Sequence, residues 1–196
     1  MAIVDYYTYI KPLISEPECG DISIMLDSDD VFFAALLDVL GHGKEARQLA
    51  LKSIDVIEGN YSDNLNEIVE VLHKKIKNSR GLVGSFIRID KKTGNLTFLG
   101  IGNVTSIIIG KENHRFVNKQ GIIGQNISNP RIEEVKLKDK DLVLLYSDGI
   151  PEKITIDKNI PLYSRHPKII ASEIVDSYGK NNDDSACFVL RFTTQN

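Results

Sequence analysis

The sequence predicts an α+β fold, in which helices and strands form separate layers. Helical periodicity is confined to two adjacent segments in the first half of the chain and one segment near its C-terminus. The remaining strand-like segments are short and are joined by turn signals typical of antiparallel hairpins. A doubly wound α/β fold would alternate strands and helices along the whole chain, so the sequence favours the α+β class.

Three strands are predicted before the first helix. Residues 3–10 are rich in β-branched and aromatic side chains, and residues 22–26 alternate in part between apolar and polar. Residues 31–37 are almost all apolar, as expected of a strand buried on both faces. The chain therefore begins with sheet structure.

Two helices are predicted next. Gly41 and Gly43 end the third strand, after which apolar residues recur at helical spacing until the stop signal at Gly59. Asp63 is placed to cap a second helix, whose apolar stripe extends over residues 65–76.

The second half of the chain is predicted to hold mostly strands, with one helix at residues 169–178. Turn signals at residues 92–95 and 110–113 separate the first of these strands. The strands are predicted over residues 86–89, 95–99, 106–109, 135–137, 142–146 and 186–192.

Composition limits the functions that this chain can have. Its 196 residues suffice for one domain with a full core, which we expect to span residues 1–196. The net charge of -3 provides no basic excess to bind a nucleic-acid backbone, so we expect no nucleic-acid partner. Two cysteines are too few for a disulfide scaffold and are typical of a reducing cytoplasm.

No targeting or membrane segment is recognisable in the sequence. The N-terminus lacks a basic region followed by an apolar stretch, and the longest apolar segment, residues 31–40, is too short to cross a bilayer. We therefore expect a cytoplasmic protein with no membrane partner. The absence of a regulatory domain from the sequence favours a monomer.

Aspartates stand at the ends of several strands that are predicted to be buried. Asp38 and Asp148 each close an apolar strand. Asp183 and Asp184 precede the last strand, and Asp21 precedes the second. A carboxylate at the edge of a core is costly unless a cation or hydrogen bonds compensate its charge.

Divalent cations are the compensating charge that this pattern favours. Few lysines lie beside these aspartates, and oxygen ligands suit Mg²⁺ or Mn²⁺ better than zinc. A glycine beside an aspartate lets the backbone approach closely, so that a carbonyl oxygen can join the ligands. Taken singly, each aspartate is better explained as an ordinary turn residue. The spacing of the whole set favours a metal site.

The chain also carries five short motifs, which are Gly20-Asp21, Asp38-Val39-Leu40-Gly41-His42-Gly43, Gly100-Ile101-Gly102-Asn103, Tyr146-Ser147-Asp148-Gly149 and Asp183-Asp184-Ser185. Each motif is weak alone, whereas five in this order are specific. Together they resemble the PPM (type-2C-like) phosphatase superfamily, in its bacterial SpoIIE/RsbU/RsbX branch. With no sensor or membrane segment, the sequence is most similar to the stand-alone RsbX type.

The resemblance implies a β-sandwich of two mostly antiparallel sheets flanked by helices, that is, α-β-β-α layers with the metal site at one edge. It also implies two Mn²⁺ or Mg²⁺ ions as cofactors, with a third ion left open. Asp38 would bridge the two ions, and Val39 would supply its backbone carbonyl oxygen. Asp148 and Asp183 would each bind one ion.

Less direct roles follow for three other residues. Asp21 would act through ordered water, and Asp184 would support the ligands from behind. His42 is a candidate general acid, because Leu40 occupies the position at which eukaryotic members carry a histidine. No arginine precedes Asp21, so the phosphate-binding arginine of eukaryotic members has no counterpart. The segment 149–166 is short, so the flap of many relatives is expected to be reduced or absent.

The resemblance further implies the reaction and the substrate. A metal-activated water would attack the phosphorus of phosphoserine or phosphothreonine in line, with no protein nucleophile. Neither cysteine lies in a Cys-x5-Arg loop, which agrees with this mechanism. The substrate would be a bacterial regulatory protein with a STAS domain, in a stressosome or partner-switching pathway.

Two other functions stay open at this point. The missing histidine and arginine would suit a pseudophosphatase that binds a phosphoprotein without turnover, although retention of Asp38, Asp148 and Asp183 argues against it. A metal-dependent phosphohydrolase that acts on a small molecule is the other alternative. The sequence contains no glycine-rich nucleotide-binding loop that would support this second function.

Overall fold

The computed structural model describes residues 2–154 and 161–195. Its helices are α1 (Gly43–Glu58), α2 (Leu65–Lys75) and α3 (Pro167–Tyr178), with one turn of 3-10 helix at Pro161–Ser164. Its strands are β1 (Ala2–Lys11), β2 (Ile22–Asp27), β3 (Val31–Val39), β4 (Leu82–Asp90), β5 (Asn95–Ile101), β6 (Thr105–Ile109), β7 (His114–Arg115), β8 (Gly121–Ile122), β9 (Asn126–Ile127), β10 (Glu133–Lys136), β11 (Leu142–Tyr146) and β12 (Ser185–Thr194).

Two five-stranded sheets form the centre of the molecule. The first has the strand order β1-β12-β11-β6-β7, and the second has the order β10-β5-β4-β3-β2. All pairings within them are antiparallel, and a small hairpin of β8 and β9 stands apart from both. The α+β class and the two antiparallel sheets expected from the sequence are therefore confirmed.

Aromatic side chains fill the space between the two sheets. The rings of Phe32 and Phe188, which come from different sheets, are stacked with their centroids 6.4 Å apart. Phe98 and Phe116 stack at 4.3 Å in the same core. Buried aromatic pairs of this kind supply much of the apolar area that stabilises a sandwich.

The helices cover the outer faces of the sandwich. Ala46 and Ala50 of α1 and Ile68 of α2 pack on the sheet that contains β3, whereas Ile170 and Ile174 of α3 pack on the other sheet. This arrangement gives the four layers α-β-β-α. Within the described ranges, none of the helices is long and apolar enough to cross a membrane.

The cap of α2 differs from the sequence prediction. Asn64 rather than Asp63 caps the helix, because the Asn64 side chain accepts a hydrogen bond of 3.0 Å from the Glu67 N–H. The Glu67 carboxylate in turn accepts one from the Asn64 N–H, which completes a capping box. The Asp63 carbonyl oxygen instead accepts a hydrogen bond from Arg88. The prediction of Asp63 as the cap was wrong by one residue.

Several short elements lie outside what the sequence predicted. Strands β7, β8 and β9 have two residues each, which is too few to show an alternating pattern. Strand β4 starts four residues before the predicted segment 86–89. The prediction of a reduced flap over residues 149–166 lies partly outside the described residues.

The strand register places the predicted site residues at one end of the sandwich. The end of β3 pairs with the start of β2, with Leu37 opposite Ile22. In the other sheet, the end of β11 pairs with the start of β12, with Tyr146 opposite Cys187. The loops that carry the aspartates before β2, after β11 and before β12 therefore lie at the same end as Asp38.

Candidate metal centre

A cavity of about 550 Å³ opens at this end of the sandwich. Four carboxylates, those of Asp38, Asp148, Asp183 and Asp184, are among its lining residues, together with Val39. No lysine or arginine is among the described residues that line it. The structure therefore brings together Asp38, Val39, Asp148 and Asp183 as the sequence predicted, and the described lining residues contribute no cationic side chain.

Asp38 experiences the strongest repulsion of these carboxylates that face the cavity. Burial at the end of β3 and the nearby charges of Asp148 and Asp183 raise the pKa of Asp38 from 3.8 to about 7. Negative charge that accumulates in this way is offset most directly by a bound cation.

Asp148 is held in an exposed loop directly after β11. The side-chain amide of Asn103 donates a hydrogen bond of 2.7 Å to Asp148 Oδ2. The Lys180 Nζ donates one of 2.6 Å to the backbone oxygen of Asp148 and does not neutralise its carboxylate by direct contact. These two bonds fix the loop while leaving one carboxylate oxygen for other ligands.

Gly149 allows the loop after β11 to approach the loop before β12. A Cβ atom at this position would lie 1.8 Å from the backbone oxygen of Asp184, so no other residue fits. The Ser185 hydroxyl donates a hydrogen bond of 3.1 Å to the Gly149 carbonyl oxygen. This contact is the reason why Asp148 and Asp183 reach the same cavity.

Asp183 is partly buried beside Asp148. Burial and the charge of Asp148 raise the pKa of its carboxyl group above the ordinary value. One of its oxygens accepts a hydrogen bond of 3.0 Å from the Asp184 N–H. Asp183 thus shares the repulsion that acts on Asp38.

Asp21 lies behind the cavity and is not one of its lining residues. It is 2% exposed, and its Oδ2 accepts a hydrogen bond of 2.6 Å from the Ser147 hydroxyl. Burial, followed by the charge of Asp38, raises the pKa of Asp21 well above the ordinary value. Its position fits the indirect role expected for it.

Asp184 ties the loop between β1 and β2 to the site. Its two carboxylate oxygens accept backbone hydrogen bonds of 2.8 Å from Leu13 and 2.7 Å from Gly20. With both oxygens occupied, Asp184 acts mainly as a structural anchor. This position also fits the supporting role expected from the sequence.

His42 lines the cavity at the start of α1. It occupies the N-cap position, but its side chain does not cap the helix. Its Nδ1 instead lies 3.1 Å from an oxygen of Glu16, in the loop that Asp184 anchors. The carboxylate of Glu16 therefore orients the ring and leaves Nε2 free of this contact.

Four supporting residues had no role in the sequence prediction. Asn103 and Ser147 lie within two of the motifs, so the motifs could have indicated that these residues belong to the site. Glu16 and Lys180 reach the site only through the tertiary fold, and nothing near them in the sequence indicates it. Arg80 donates a hydrogen bond of 3.2 Å to the Leu40 carbonyl oxygen and is not among the lining residues of the cavity.

The donor set suits hard divalent cations. Within the described ranges, no group of three or more His, Cys, Asp or Glu side chains is placed so that it alone could hold a metal ion. Mg²⁺ does not require such a group, because it keeps several waters and is usually bound through one or two carboxylates. Clustered carboxylates without a cationic partner provide both the oxygen ligands and the excess negative charge for such ions. The residues present therefore fit Mg²⁺ or Mn²⁺.

The sequence matches the family described as Stage II sporulation protein E (SpoIIE) over residues 28–193. The chain belongs to the SpoIIE family. It is 30% identical over 90 residues to phosphoserine phosphatase RsbX of Bacillus subtilis (strain 168). The aligned part spans 46% of this chain and 45% of that relative, that is, less than half of its length.

Solved structures agree with this assignment. One similar structure comes from work on the bacterial stressosome, described there as a modular system adapted to control secondary messenger signalling. The two chains superpose with a TM-score of 0.89 at 27% identity, over 96% of this chain and 100% of that one. RsbX in complex with magnesium has a TM-score of 0.83 at 19% identity, over 97% and 96% of the two chains. The PstP catalytic domain with two manganese ions has a TM-score of 0.72 at 11% identity, over 99% and 100%. The last two show a shared fold, and the resemblance to PPM phosphatases is confirmed.

Charge repulsion at the site predicts how the stability of the metal-free protein depends on pH. The pKa of Asp38 is raised from 3.8 to about 7, so between these values the folded state binds more protons than the unfolded state. The free energy of unfolding should therefore fall as pH rises from 5 to 8, by about 2.5 kcal/mol from this group. We expect Asp38→Asn to reduce that fall, as measured by denaturant unfolding in a chelator.

Addition of Mn²⁺ provides the matching control. At pH 8 it should raise the melting temperature of the natural protein far more than that of Asp38→Asn. An unchanged pH dependence in the variant, together with an equal response to Mn²⁺, would contradict the role of Asp38.

Proposed function

We propose that this chain is a metal-dependent protein phosphatase that hydrolyses phosphoserine or phosphothreonine. The observation that carries the proposal is the cavity lined by Asp38, Asp148 and Asp183, with no lysine or arginine among its described lining residues. Membership of the SpoIIE family and the partial similarity to a phosphoserine phosphatase support the same activity.

The side chains of the cavity would hold two Mg²⁺ or Mn²⁺ ions. Asp38 would bridge them, Val39 would offer its carbonyl oxygen, and Asp148 and Asp183 would each bind one ion. Bound there, the ions would make a water acidic enough to act as the nucleophile at neutral pH and would offset the charge of the phosphoryl oxygens. Asn103 keeps the Asp148 carboxylate in place during this reaction.

His42 is the residue that we propose as the general acid. The contact with Glu16 fixes the ring through Nδ1 and leaves Nε2 available on the side of the cavity. Nε2–H can then donate its proton to the serine or threonine oxygen as that oxygen leaves phosphorus. No cysteine or serine nucleophile is needed, because the attacking oxygen comes from water.

The substrate that we propose is a serine- or threonine-phosphorylated regulatory protein with a STAS domain. Support comes from the similarity to a structure from work on the bacterial stressosome. The cytoplasmic location, the monomeric state and the single domain over residues 1–196 stay predictions from the sequence.

Removal of the bridging carboxylate should abolish turnover. We expect Asp38→Asn to lower Mn²⁺-dependent phosphate release from a phosphorylated STAS-domain protein by at least about 100-fold, because the ions lose the ligand they share. Phosphate release measured at saturating Mn²⁺ is the test.

Asp141→Asn is the matched control. Asp141 is also a largely buried aspartate, but it accepts a hydrogen bond from the Lys138 N–H and is not among the lining residues of the cavity. The phosphatase activity of Asp141→Asn should stay near that of the natural protein. Full activity of Asp38→Asn would rule out the proposed site. Metal and phosphoprotein binding without any phosphate release would instead indicate a binding module.

The role of His42 can be tested with leaving groups of different acidity. We expect His42→Ala to lower the kcat on phosphoserine protein by about 100-fold, because an alkoxide leaves poorly without a proton. The kcat on p-nitrophenyl phosphate should change little, since its phenol has a pKa of about 7 and leaves without help. Glu16→Gln should also lower the kcat on the phosphoserine protein selectively, but by a smaller factor.

His166→Ala serves as the control for this test. His166 caps α3 and is not among the lining residues of the cavity, so both activities should be retained. An equal loss on both substrates in His42→Ala would show that the residue supports the site in some other way.

A further inference from the structure

Two apolar side chains beside the cavity are far more exposed than other large apolar side chains. Val117 is 77% exposed and Ile14 is 72% exposed, whereas the next value among the described residues is 47%. A single exposed apolar side chain needs no explanation. These two most exposed side chains both lie in loops that contact residues of the cavity lined by Asp38, Asp148 and Asp183, which is called the reactive cavity below.

Ile14 belongs to the loop between β1 and β2, which is hydrogen-bonded to residues of the acidic site. The residue before it, Leu13, donates its N–H to Asp184, and Glu16 contacts His42. The loop is thus tied on both sides of Ile14 to two residues that line the reactive cavity, Asp184 and His42. The Ile14 side chain is not itself among the lining residues and is exposed to solvent.

Val117 lines a second cavity of about 480 Å³. This cavity shares Gly102, Asn103 and Asp148 with the reactive cavity, so the two form a continuous groove. Phe116, which is buried, lies next to Val117 in its wall. A chain whose phosphorylated residue enters the reactive cavity can continue along this groove.

The second cavity also offers cationic hydrogen-bond donors, whereas no lysine or arginine is among the described lining residues of the first. The ammonium group of Lys180 uses one donor on the Asp148 backbone oxygen and has two others. The guanidinium of Arg115 is fixed by Glu152, which it contacts at 3.1 Å on the carboxylate and 2.9 Å on the backbone oxygen. Fixed donors beside an apolar surface suit backbone carbonyl oxygens and acidic side chains of a polypeptide.

We propose that this groove, together with Ile14 in the loop tied to Asp184 and His42, docks the extended segment of a protein substrate that flanks the phosphorylated residue. The inference rests on the proposed phosphatase function and names the surface that would contact its protein substrate. A small phosphorylated molecule would occupy only the reactive cavity and would gain nothing from side chains outside it. Apolar residues of the substrate would cover Val117 and Ile14, while its backbone would meet Lys180 and Arg115.

Val117→Ser and Ile14→Ser, alone and combined, test the docking. Each should lower kcat/KM on a serine-phosphorylated STAS-domain protein about 10-fold, since truncation of an apolar anchor at an interface typically has this effect. The same variants should hydrolyse p-nitrophenyl phosphate with Mn²⁺ at the natural rate. Leu51→Ser is the matched control, because Leu51 is an exposed apolar residue of α1 that lines neither cavity.

Docking can also be measured without turnover. In the Asp38→Asn background, we expect Val117→Ser and Ile14→Ser to weaken binding of the same phosphoprotein about 10-fold by calorimetry, with no change for Leu51→Ser. Unchanged binding in the double variant would overturn the proposal, as would a parallel loss of activity on p-nitrophenyl phosphate. Failure of the natural protein to hydrolyse either substrate would refute the phosphatase function separately, because the binding measurement does not depend on it.

Discussion

Repulsion among carboxylates is the constraint around which this end of the molecule is organised. The fold brings Asp38, Asp148 and Asp183 to one cavity and places Asp21 and Asp184 around it. Collecting so much negative charge at a partly buried site opposes folding. Three apolar layers, one between the sheets and one under each set of helices, provide the stability that tolerates it. Under the proposed function, bound cations would offset this charge.

The hydrogen bonds around these carboxylates divide them into two groups. Asp21 and Asp184 point their oxygens at a hydroxyl group and at backbone N–H groups, so their charge is largely used in holding loops together. Asp38 and Asp148 face the cavity with oxygens that are not fully occupied. The first group fixes the geometry, and the second is available to ligands.

Much of the fold could be predicted because its long elements carry clear patterns. Strands β3 and β11 are continuous apolar segments, and α1 has a helical apolar stripe ended by Gly59. The two-residue strands β7, β8 and β9 could not be predicted, since pairing in space creates them rather than any local pattern. The sandwich of two antiparallel sheets was implied by the family resemblance, whereas the order of its strands is known only from the structure. The cap of α2 moved from Asp63 to Asn64 because Glu67 completes a capping box only with Asn64.

The candidate site was predictable to the extent that its residues lie in motifs. Asp38, Asp148 and Asp183 each follow or precede a buried strand, and glycine positions beside them bring the loops close together. Glu16, Lys180 and Val117 are different, because only the tertiary fold places them beside the cavity. The proposed metal ligands are thus recognisable from local sequence, whereas the residues proposed to position and dock the substrate are recognisable only from the fold.

The central claim is that divalent cations occupy the cavity between these carboxylates. A crystal soaked in Mn²⁺ and measured at the manganese absorption edge tests it most directly. The account predicts two anomalous peaks inside the cavity, both near Asp38, with Asp148 and Asp183 each beside one of them and the Val39 carbonyl oxygen among the ligands. An empty cavity at saturating Mn²⁺, or peaks only at surface carboxylates elsewhere, would contradict it.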